Sequence, residues 1–449
     1  MPGTRNGHIQ ICSSQRWQEQ AIGSGWICSA GILALHKDAD TTTAELSPSR
    51  TKGSDPTSQS RPSTAPQPTS KGEVTSVSID SQAGNSGGLK SMIYYPNWAV
   101  YARKFFPSNI TGVERFSHIF YAFANVSPDG TVTLDDPYAD LEISDGVSAS
   151  KGAINQLQEL KKASSDLKLI LSIGGYTYSS NFAAPASTPG GRETFARSAV
   201  ELVKTHDFDG IDVDWEYPED QPQGENFYQL LAATREELDA ADGNTKLLTT
   251  AVSVNPQHNV QLPIEKMDKI LDYWLLMGYD YSGAFDKVAG HTANVHASAD
   301  KQVTPFDTDS AVQAYKQRGV RSSKLILGMP LYGHDFVGTE GPGTSFSSVS
   351  NGSWGTGDDD LTGVWDYKAI ADTEPSKLKV DRDLIALWSY DSNTRTMVSY
   401  DTPEVASLKA KYILETGLGG AMWWEITGDM PSPSDQSLVD SVLRALGLG

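Results

Sequence analysis

Cysteine is almost absent from this sequence. Only Cys12 and Cys28 occur among its 449 residues. No residue after Cys28 can therefore take part in a disulfide, and any folded core in that part of the chain must be held together by burial and hydrogen bonds. So few cysteines leave the redox compartment open.

The chain also lacks long apolar runs and an excess of positive charge. No stretch of about 18 consecutive apolar residues occurs, so the sequence predicts no transmembrane helix. Lys and Arg number 36 against 56 Asp and Glu, which gives a formal net charge of −20 at pH 7. Such a charge disfavours nucleic acids and anionic membranes as partners and is compatible with a neutral substrate.

Residues 1–88 have the composition of a disordered tail. Ser, Thr, Pro and Gln dominate from Thr41 onward, and a segment of this kind cannot bury a core. The short apolar run 26–35 resembles the central part of a secretory signal, but it begins late and follows Glu19. The N-terminus therefore leaves both a signal peptide and a disordered leader open.

From Lys90 onward, short apolar runs alternate with helical stretches. Eight such runs predict β-strands separated by helices, which indicates a (β/α)₈ TIM barrel over residues 89–449. The active site of such a barrel lies at the C-terminal ends of its strands. The predicted strands are 92–95, 118–124, 167–175, 210–216, 247–253, 273–280, 325–333 and 419–425.

The seventh and eighth predicted strands lie too far apart for a single connecting helix. About 85 residues separate Gly333 from Gly419, and residues 338–400 remain once a helix before the last strand is allowed for. This remainder carries Gly, Ser and Asp turns and short strand-like runs. It predicts a small α+β insertion domain between strands 7 and 8.

Acidic residues mark the fourth predicted strand, in the stretch FDGIDVDWEYP. Asp212, Asp214 and Glu216 alternate with apolar residues, so they face one side with roughly 6.6 Å between neighbouring Cα atoms, and Asp209 precedes them. Aligned carboxylates repel one another and share protons, and a carboxylic acid with a raised pKa can protonate a leaving group. The alternatives are a solvated acidic edge strand, which the apolar neighbours disfavour, and a hard-cation site, which the shortage of Asn and Gly disfavours.

This stretch resembles the D-x-x-D-x-D-x-E signature of glycoside hydrolase family 18, the chitinases. All four acids of the signature are present, and Trp-Glu-Tyr-Pro surrounds the last one. The resemblance covers roughly residues 91–446 and is closest to the fungal class V (bacterial-type) subgroup, as in the segments 138–140, 290–294 and 352–354. In that subgroup the insertion forms one wall of a deep substrate cleft.

The resemblance implies hydrolysis with retention, assisted by the substrate. A retaining glycosidase ordinarily needs a nucleophilic carboxylate about 5 Å from its acid, and no motif in the sequence indicates such a nucleophile. By resemblance, Glu216 protonates the glycosidic oxygen while the substrate's own N-acetyl group attacks the anomeric carbon. Asp214 orients that group, Asp212 shares a proton with Asp214, and Tyr279 holds the acetamido group in place. No metal or cofactor is required.

Motifs at other strand ends supply further candidates. The segment 172–175 (SIGG) resembles S-x-G-G, the segment 277–280 (MGYD) resembles M-x-Y-D, and Trp424 matches a tryptophan in the family's pocket floor. Alone, these motifs fit a tight turn, an ordinary strand end and a core tryptophan; their order along a barrel gives them functional meaning. The predicted substrate-binding residues are Asp209, Ser172, Tyr95, Trp98, Tyr176, Tyr217, Met277, Asp280, Tyr281, His334 and Trp424.

Three positions depart from the family pattern. Tyr176 and Tyr178 stand where fungal relatives usually carry Trp, and His334 stands where they usually carry Arg. Tyrosine offers less stacking area than tryptophan, and histidine lacks the permanent charge and bidentate geometry of arginine. We expect weaker substrate contacts and unchanged acid–base chemistry.

The sequence therefore predicts a monomeric endochitinase that binds chitin and N-acetylglucosamine oligomers and has neither nucleic acid nor membrane as a partner. A non-catalytic chitin-binding lectin and an endo-β-N-acetylglucosaminidase acting on N-glycans stay open as alternatives. Glu216 disfavours the first, because inactive relatives typically lose it, and the insertion and the aromatic residues disfavour the second. Endo and exo action are not distinguished. The family favours a secreted protein, and the unclear signal leaves a cytoplasmic location open.

Overall fold

The computed structural model describes residues 88–243, 245–355 and 361–449. The predicted disordered tail, apart from Gly88, lies outside the described residues, and so do the signal-like run and both cysteines. Within the described ranges, no helix is long and apolar enough to cross a membrane.

The described residues form fourteen strands. They are β1 (Lys90–Pro96), β2 (His118–Val126), β3 (Val132–Leu134), β4 (Lys168–Gly174), β5 (Gly210–Asp214), β6 (Leu247–Ser253), β7 (Tyr273–Met277), β8 (Leu325–Pro330), β9 (Tyr332–Val337), β10 (Val364–Asp366), β11 (Leu378–Asp381), β12 (Ala386–Asp391), β13 (Thr396–Ser399) and β14 (Gly420–Trp424).

Six helices of more than one or two turns accompany these strands within the described ranges. They are α1 (Ala153–Ala163), α2 (Pro189–Thr205), α3 (Gln221–Asp242), α4 (Thr308–Gln317), α5 (Pro403–Thr416) and α6 (Leu438–Leu446). Short α-helical turns occur at Gly175–Tyr178, Ala183–Ala186, Pro256–Asn259, Ile264–Met267 and Tyr367–Ile370, and a π-helical turn occurs at Tyr138–Glu142.

Eight parallel strands close into a barrel. Their order is β1-β14-β8-β7-β6-β5-β4-β2, and pairing between β1 and β2 completes the ring. The short strand β3 extends β2 in the antiparallel direction. This arrangement confirms the predicted (β/α)₈ barrel and places the C-terminal ends of all eight strands at one mouth.

The barrel strands alternate between two apolar environments. On β1, Met92 and Tyr94 belong to the cluster that fills the barrel interior, whereas Ile93 and Tyr95 belong to the larger cluster under the helices. This is the two-residue period expected of strands covered on both faces. On β5 the same alternation sends the apolar Ile211 and Val213 outward and the carboxylates of Asp212 and Asp214 inward.

A five-stranded antiparallel sheet stands beside the barrel, in the order β10-β9-β13-β12-β11. It has a small core of its own around Ala289, Phe336 and Met397. The sheet fits the small α+β insertion domain that the long gap between barrel strands 7 and 8 predicts. Its first strand along the chain, β9, begins at Tyr332, two residues after β8 ends at Pro330, so the apolar run 325–333 contains all of β8 and the start of β9.

Candidate active site

Asp212 and Asp214 lie inside the barrel on β5, and Glu216 follows two residues later at its mouth. Asp212 is fully buried and accepts three hydrogen bonds, two from the adjacent strands β4 and β6 and one from β1 across the barrel. The Tyr94 hydroxyl on β1 lies 2.8 Å from Oδ2, the Ser172 hydroxyl on β4 lies 2.7 Å from Oδ2, and the Thr249 hydroxyl on β6 lies 2.7 Å from Oδ1. These donors hold the Asp212 carboxylate in one orientation.

The two aspartates differ in how their charge is supported. Burial raises the pKa of Asp212, but its three hydroxyl donors partly offset that rise. Burial raises the pKa of Asp214 well above its usual range, and the neighbouring charges of Glu216 and Asp212 raise it further. The protonated form is therefore favoured more strongly at Asp214 than at Asp212. The buried Asp214 Oδ1 makes no hydrogen bond within the described part of the chain, so it can receive a polar group of a ligand.

Glu216 has the electrostatic setting of a general acid. Burial raises the pKa of Glu216 to about 7, and the negative charge of Asp280 adds to the rise. Hydrogen bonds from the Tyr217 hydroxyl and the Tyr176 backbone N–H act in the opposite direction. Near neutral pH this carboxyl group can therefore both donate and accept a proton.

The turn after β4 holds Glu216 in place. Gly174 and Gly175 have φ values of +114° and +71°, which L side chains rarely adopt, and they turn the chain so that the Tyr176 N–H meets the Glu216 side chain. The Ser179 hydroxyl accepts a hydrogen bond from the Glu216 backbone N–H at 2.6 Å and donates to the Gly175 carbonyl at 2.8 Å. The SIGG motif therefore positions the terminal acid through backbone groups.

Asp280 lies at the mouth after β7, in a left-handed backbone conformation with a φ of +58°. Its Oδ1 atom accepts a hydrogen bond from the Tyr332 hydroxyl at 2.7 Å and lies 2.8 Å from His334 Nε2. Both partners come from β9, so the insertion sheet orients this carboxylate. The nearby Tyr279 ring packs edge-on against Tyr332, and Met277 lies in the interior cluster. These residues form one continuous polar and aromatic wall.

Aromatic rings form the opposite part of the mouth. The Trp424 ring, at the end of β14, lies 5.3 Å from the Tyr94 ring, 5.7 Å from Phe123 and 6.2 Å from Trp98. Trp98 is 39% exposed, and Tyr176, in the turn after β4, is 70% exposed. The exposed faces of these rings suit sugar rings, which present flat apolar surfaces edged by hydroxyls.

Tyr217 lies between the acid row and the rim. Its ring stacks on His258, with 4.1 Å between centroids and an interplanar angle of 22°. Because its hydroxyl also bonds Glu216, Tyr217 connects the acid to the surface of the cleft.

Three residues predicted to bind substrate lie elsewhere, and their assignments need correction. Tyr95 is fully buried on the outer face of β1, where its hydroxyl bonds the Phe105 carbonyl at 2.9 Å. Tyr281 is likewise buried, and its hydroxyl lies 2.8 Å from Thr308 Oγ1 at the start of α4. Neither ring has a face open to the cleft.

Asp209 lies at the opposite end of the barrel from the mouth. It stands five residues before Asp214, roughly 16 Å away along the strand. Its carboxylate lies 2.8 Å from Lys161 Nζ and 3.6 Å from Lys168 Nζ, and it accepts a hydrogen bond from the Leu169 N–H. These contacts join β5 to α1 and β4, which is a structural role.

Several site residues were missed from the sequence. Tyr94 differs from the predicted Tyr95 by one position, and the alternation of β1 could have identified it. Thr249 could be identified only from the register between β5 and β6, which places it beside Asp212. Ser179 and Phe123 had no recognisable signal.

The arrangement can transfer protons but does not have the form of a metal site. Within the described ranges, no group of three or more His, Cys, Asp or Glu residues is placed to hold a metal ion. The acid row instead combines Glu216, whose pKa is raised to about 7, Asp214, whose pKa is raised well above its usual range and whose Oδ1 is free, and Asp212 behind it, whose carboxylate is held by three hydroxyl donors. This set suits acid–base cleavage of a bond at the mouth.

Comparisons with known proteins agree with this geometry. Residues 90–429 match the model of the family described as glycosyl hydrolases family 18. Over 385 residues the chain is 39% identical to chitinase 1 of Aphanocladium album, covering 82% of this chain and 89% of the relative. It is 40% identical over 376 residues to endochitinase 1 of Metarhizium robertsii, covering 81% and 86% respectively. A solved chitinase from Bacillus thuringiensis superimposes with a TM-score of 0.73 at 29% identity, covering 81% of this chain and 70% of that one.

Proposed function

We propose an endo-acting mode for this chain, which belongs to glycosyl hydrolase family 18 and is a chitinase. The proposed reaction cleaves internal β-1,4 bonds between N-acetylglucosamine residues, with retention at the anomeric carbon. The observation that carries the mechanism is the pairing of Glu216, whose pKa is raised to about 7, with the unpartnered buried oxygen of Asp214.

Glu216 begins the reaction as the general acid. It donates its proton to the glycosidic oxygen, and the bond from that oxygen to the anomeric carbon breaks. The carbonyl oxygen of the substrate's N-acetyl group forms the new bond to the anomeric carbon, which gives an oxazolinium ion. A water molecule then loses a proton to the Glu216 carboxylate and attacks the same carbon, which restores the acetamido group and the protonated acid.

Asp214 and Asp212 support the positive charge that develops on the acetamido group. The free Oδ1 of Asp214 accepts the acetamido N–H, which turns the carbonyl oxygen toward the anomeric carbon. As the ion forms, the Asp214 proton is shared with Asp212, so that negative charge lies next to the oxazolinium ring. The hydroxyl donors on Asp212 keep that carboxylate in place behind Asp214.

Tyr279 and Trp424 fix the reacting sugar. Burial raises the pKa of the Tyr279 hydroxyl well above its usual range, so it remains a hydrogen-bond donor to the acetamido group. Trp424 supplies the apolar floor under the sugar ring, supported from behind by Tyr94 and Phe123. Holding the acetamido oxygen close to the anomeric carbon accounts for much of the rate, because the attack is then intramolecular.

The proposed partners are chitin and N-acetylglucosamine oligomers, bound by a monomer. The carbohydrate carries no charge, which agrees with a cleft built from aromatic faces and hydrogen-bonding groups. We also propose export from the cell, since an insoluble polymer must be cleaved where it lies. Assaying chitinase activity separately in medium and washed cells tests export, and activity confined to the cells would contradict it.

The full chain incubated with a soluble chitin hexamer tests the proposed reaction. We expect early β-anomers and a mixture of dimers, trimers and tetramers. Dimers alone would contradict endo action, and early α-anomers would contradict retention.

Replacing Glu216→Gln tests the role of the acid. The amide cannot donate the catalytic proton, so we expect kcat to fall by at least about 10²-fold while hexamer binding survives. Glu219→Gln, three residues away and exposed, is the matched control and should retain activity. A wild-type chain that binds the hexamer without cleaving it would instead indicate a lectin, and cleavage of N-glycan cores in preference to chitin oligomers would indicate an endo-β-N-acetylglucosaminidase.

A further inference from the structure

Arg103 lies where three parts of the cleft meet. It belongs to the loop between β1 and β2 that also carries Trp98. Its side chain, only 10% exposed, reaches the end of β14 and the edge of the insertion sheet at β10. None of the catalytic steps above uses this residue.

One guanidinium nitrogen makes most of these contacts. Arg103 Nη1 lies 2.5 Å from Glu425 Oε1 and 2.6 Å from Thr427 Oγ1, both just beyond β14. The same nitrogen lies 3.4 Å from Asp366 Oδ1 on β10. Glu425 is held in turn by the backbone N–H and the hydroxyl of Thr427 at 2.8 and 2.6 Å. Arg103 therefore bridges two buried carboxylates that belong to different parts of the chain.

The insertion strengthens this bridge with an aromatic ring and a second cation. The Arg103 guanidinium carbon lies 5.1 Å from the centroid of the Trp354 ring, whose Nε1–H donates to Asp366 at 2.8 Å. Lys368 Nζ lies 3.5 Å from Asp366 and donates to the Thr427 carbonyl at 2.5 Å. Two cations thus balance two carboxylates, and the cluster joins the insertion sheet to the barrel mouth.

Two of the parts that Arg103 joins carry an aromatic surface of the cleft. Trp98 precedes it by five residues in the same loop, and Trp424 directly precedes Glu425. Their rings lie 6.2 Å apart at the mouth. A shift of Arg103 would therefore change the spacing between Trp98 and Trp424, and the position of the insertion relative to both.

A stabilising role alone does not account for this construction. A buried ion pair costs desolvation of both charges and is weak support for stability, since apolar residues of the same volume often do as well. Arg103 does fix the relative geometry of the segments, because its Nη1 atom reaches Glu425 and Asp366 together only while both stay within 2.5 and 3.4 Å of it. A substrate spanning several subsites needs such fixed geometry more than a substrate that fills one.

We propose that Arg103 is a positioning residue for long substrates: it holds the Trp98 loop, the Trp424 strand end and the insertion in the spacing that a chain of several sugars requires. The inference rests on the proposed function, because it specifies how the same cleft distinguishes long chitin chains from short ones.

Full-chain variants Arg103→Met and Arg103→Lys test the proposal against oligomers from the dimer to the hexamer. For Arg103→Met we expect KM for the hexamer to rise about three- to tenfold with kcat within about twofold, and the effect to shrink as the oligomer shortens. Arg103→Lys keeps one ion pair and should restore part of the hexamer affinity. Hexamer binding measured in a Glu216→Gln background should weaken by the same factor, independently of turnover.

Arg382→Met is the matched control. Arg382 also joins the insertion region to a barrel helix, through Glu404 on α5, but its side chain is 69% exposed and the pair lies away from the cluster. We expect unchanged KM at every oligomer length.

Two outcomes overturn the inference. An equal rise in KM at every oligomer length, together with a lower melting temperature, would show that Arg103 is a structural residue only. Unchanged KM and kcat in both variants would show that Arg103 does not position the cleft for substrate. A wild-type chain that cleaves no oligomer would overturn the proposed function as well. The lysine variant retains the buried charge, so the comparison stands even if the methionine variant does not fold.

Discussion

The negative charge of Asp280 affects the pKa of a second carboxyl group, that of Glu216. Burial makes the larger contribution to the raised pKa of Glu216, and the charge of Asp280 adds to it. The Tyr332 hydroxyl and His334 Nε2 hold the same Asp280 oxygen and keep this charge oriented. His334 Nδ1 is buried without a hydrogen bond in the described part of the chain, so this support comes from one ring nitrogen. An arginine here would support Asp280 with two donors and a permanent charge.

Replacing Asp280→Asn should move the alkaline limb of the pH profile to lower pH. Glu216 must be protonated to act as the acid, so kcat/KM falls as pH rises through its pKa of about 7. Removing the neighbouring negative charge makes ionisation of Glu216 easier, lowers its pKa and so brings that fall to a lower pH. The position of the limb, measured on a soluble oligomer, is the readout, because the height of the profile also reflects lost substrate contacts.

An alkaline limb at the same pH in wild type and Asp280→Asn would contradict this electrostatic coupling. Asp300→Asn is a suitable control, because Asp300 is exposed in a turn and its carboxylate accepts a hydrogen bond from the Gln302 backbone N–H. We expect its profile to match the wild type.

Among the structural elements, the strand–turn–helix unit at the end of β4 most directly positions the groups of the site. Gly174 pairs with Asp214 across the sheet, and the short helix Gly175–Tyr178 begins immediately after it. A Cβ atom on Gly174 would lie 2.2 Å from the Asp214 carbonyl oxygen and 2.7 Å from Phe182. The two adjacent glycines therefore permit both the close approach of β5 and the turn that presents the Tyr176 N–H.

We expect Gly174→Ala to lower both stability and turnover. The positive φ and the contact with the Asp214 backbone together should cost about 1–3 kcal/mol of unfolding free energy. The shift of Asp214 and of the Tyr176 N–H should lower kcat by more than about tenfold. Denaturant unfolding and hexamer kinetics on the same preparation measure the two effects.

Gly190→Ala provides the control for this substitution. Gly190 lies in the first turn of α2, and an added Cβ meets no atom of the described chain within 4 Å. Alanine there should be neutral or slightly stabilising, because it restricts the unfolded chain. If Gly174→Ala behaved like Gly190→Ala, the turn would not control the site as described.

At the scale of the whole molecule, charge and substrate are poorly matched for electrostatic attraction. The chain carries a formal net charge of −20, and chitin is neutral. Binding must then come from the aromatic faces and hydrogen-bonding groups of the cleft, which salt screens very little. The negative field instead favours solubility and repels anionic polymers.

Hydrolysis of a fully acetylated hexamer should therefore be almost insensitive to salt. We expect kcat/KM to change by less than about twofold between about 0.05 M and 0.5 M NaCl, because no long-range charge attraction is lost. A partially deacetylated oligomer, which is cationic, should show a clear decrease over the same range. A strong salt dependence with the neutral hexamer would show that charged groups of the protein contribute directly to its binding.

Local patterns in the amino-acid sequence were enough to predict the barrel and the row of acids. Period-two alternation on β5 is a local property, so Asp212, Asp214 and Glu216 could be placed on one face without a structure. Eight apolar runs separated by helical stretches predict the barrel in the same way, because the hydrophobic periods of strands and helices can be recognised within short stretches of sequence. The long gap between strands 7 and 8 revealed the insertion for an equally simple reason, namely chain length.

Tertiary structure alone decided which side chains meet. Tyr94 and Tyr95 are chemically equal neighbours: the alternation of β1 puts them on opposite faces, but only the closure of the barrel brings Tyr94 to Asp212. Tyr281 follows a strand end like Tyr279, but packing against α4 removes it from the mouth. Thr249 reaches Asp212 through strand register. Arg103 contacts Glu425 and Asp366, which lie 322 and 263 residues away along the chain. Contacts over such separations depend on how the strands pair and the loops pack, which local periodicity does not record.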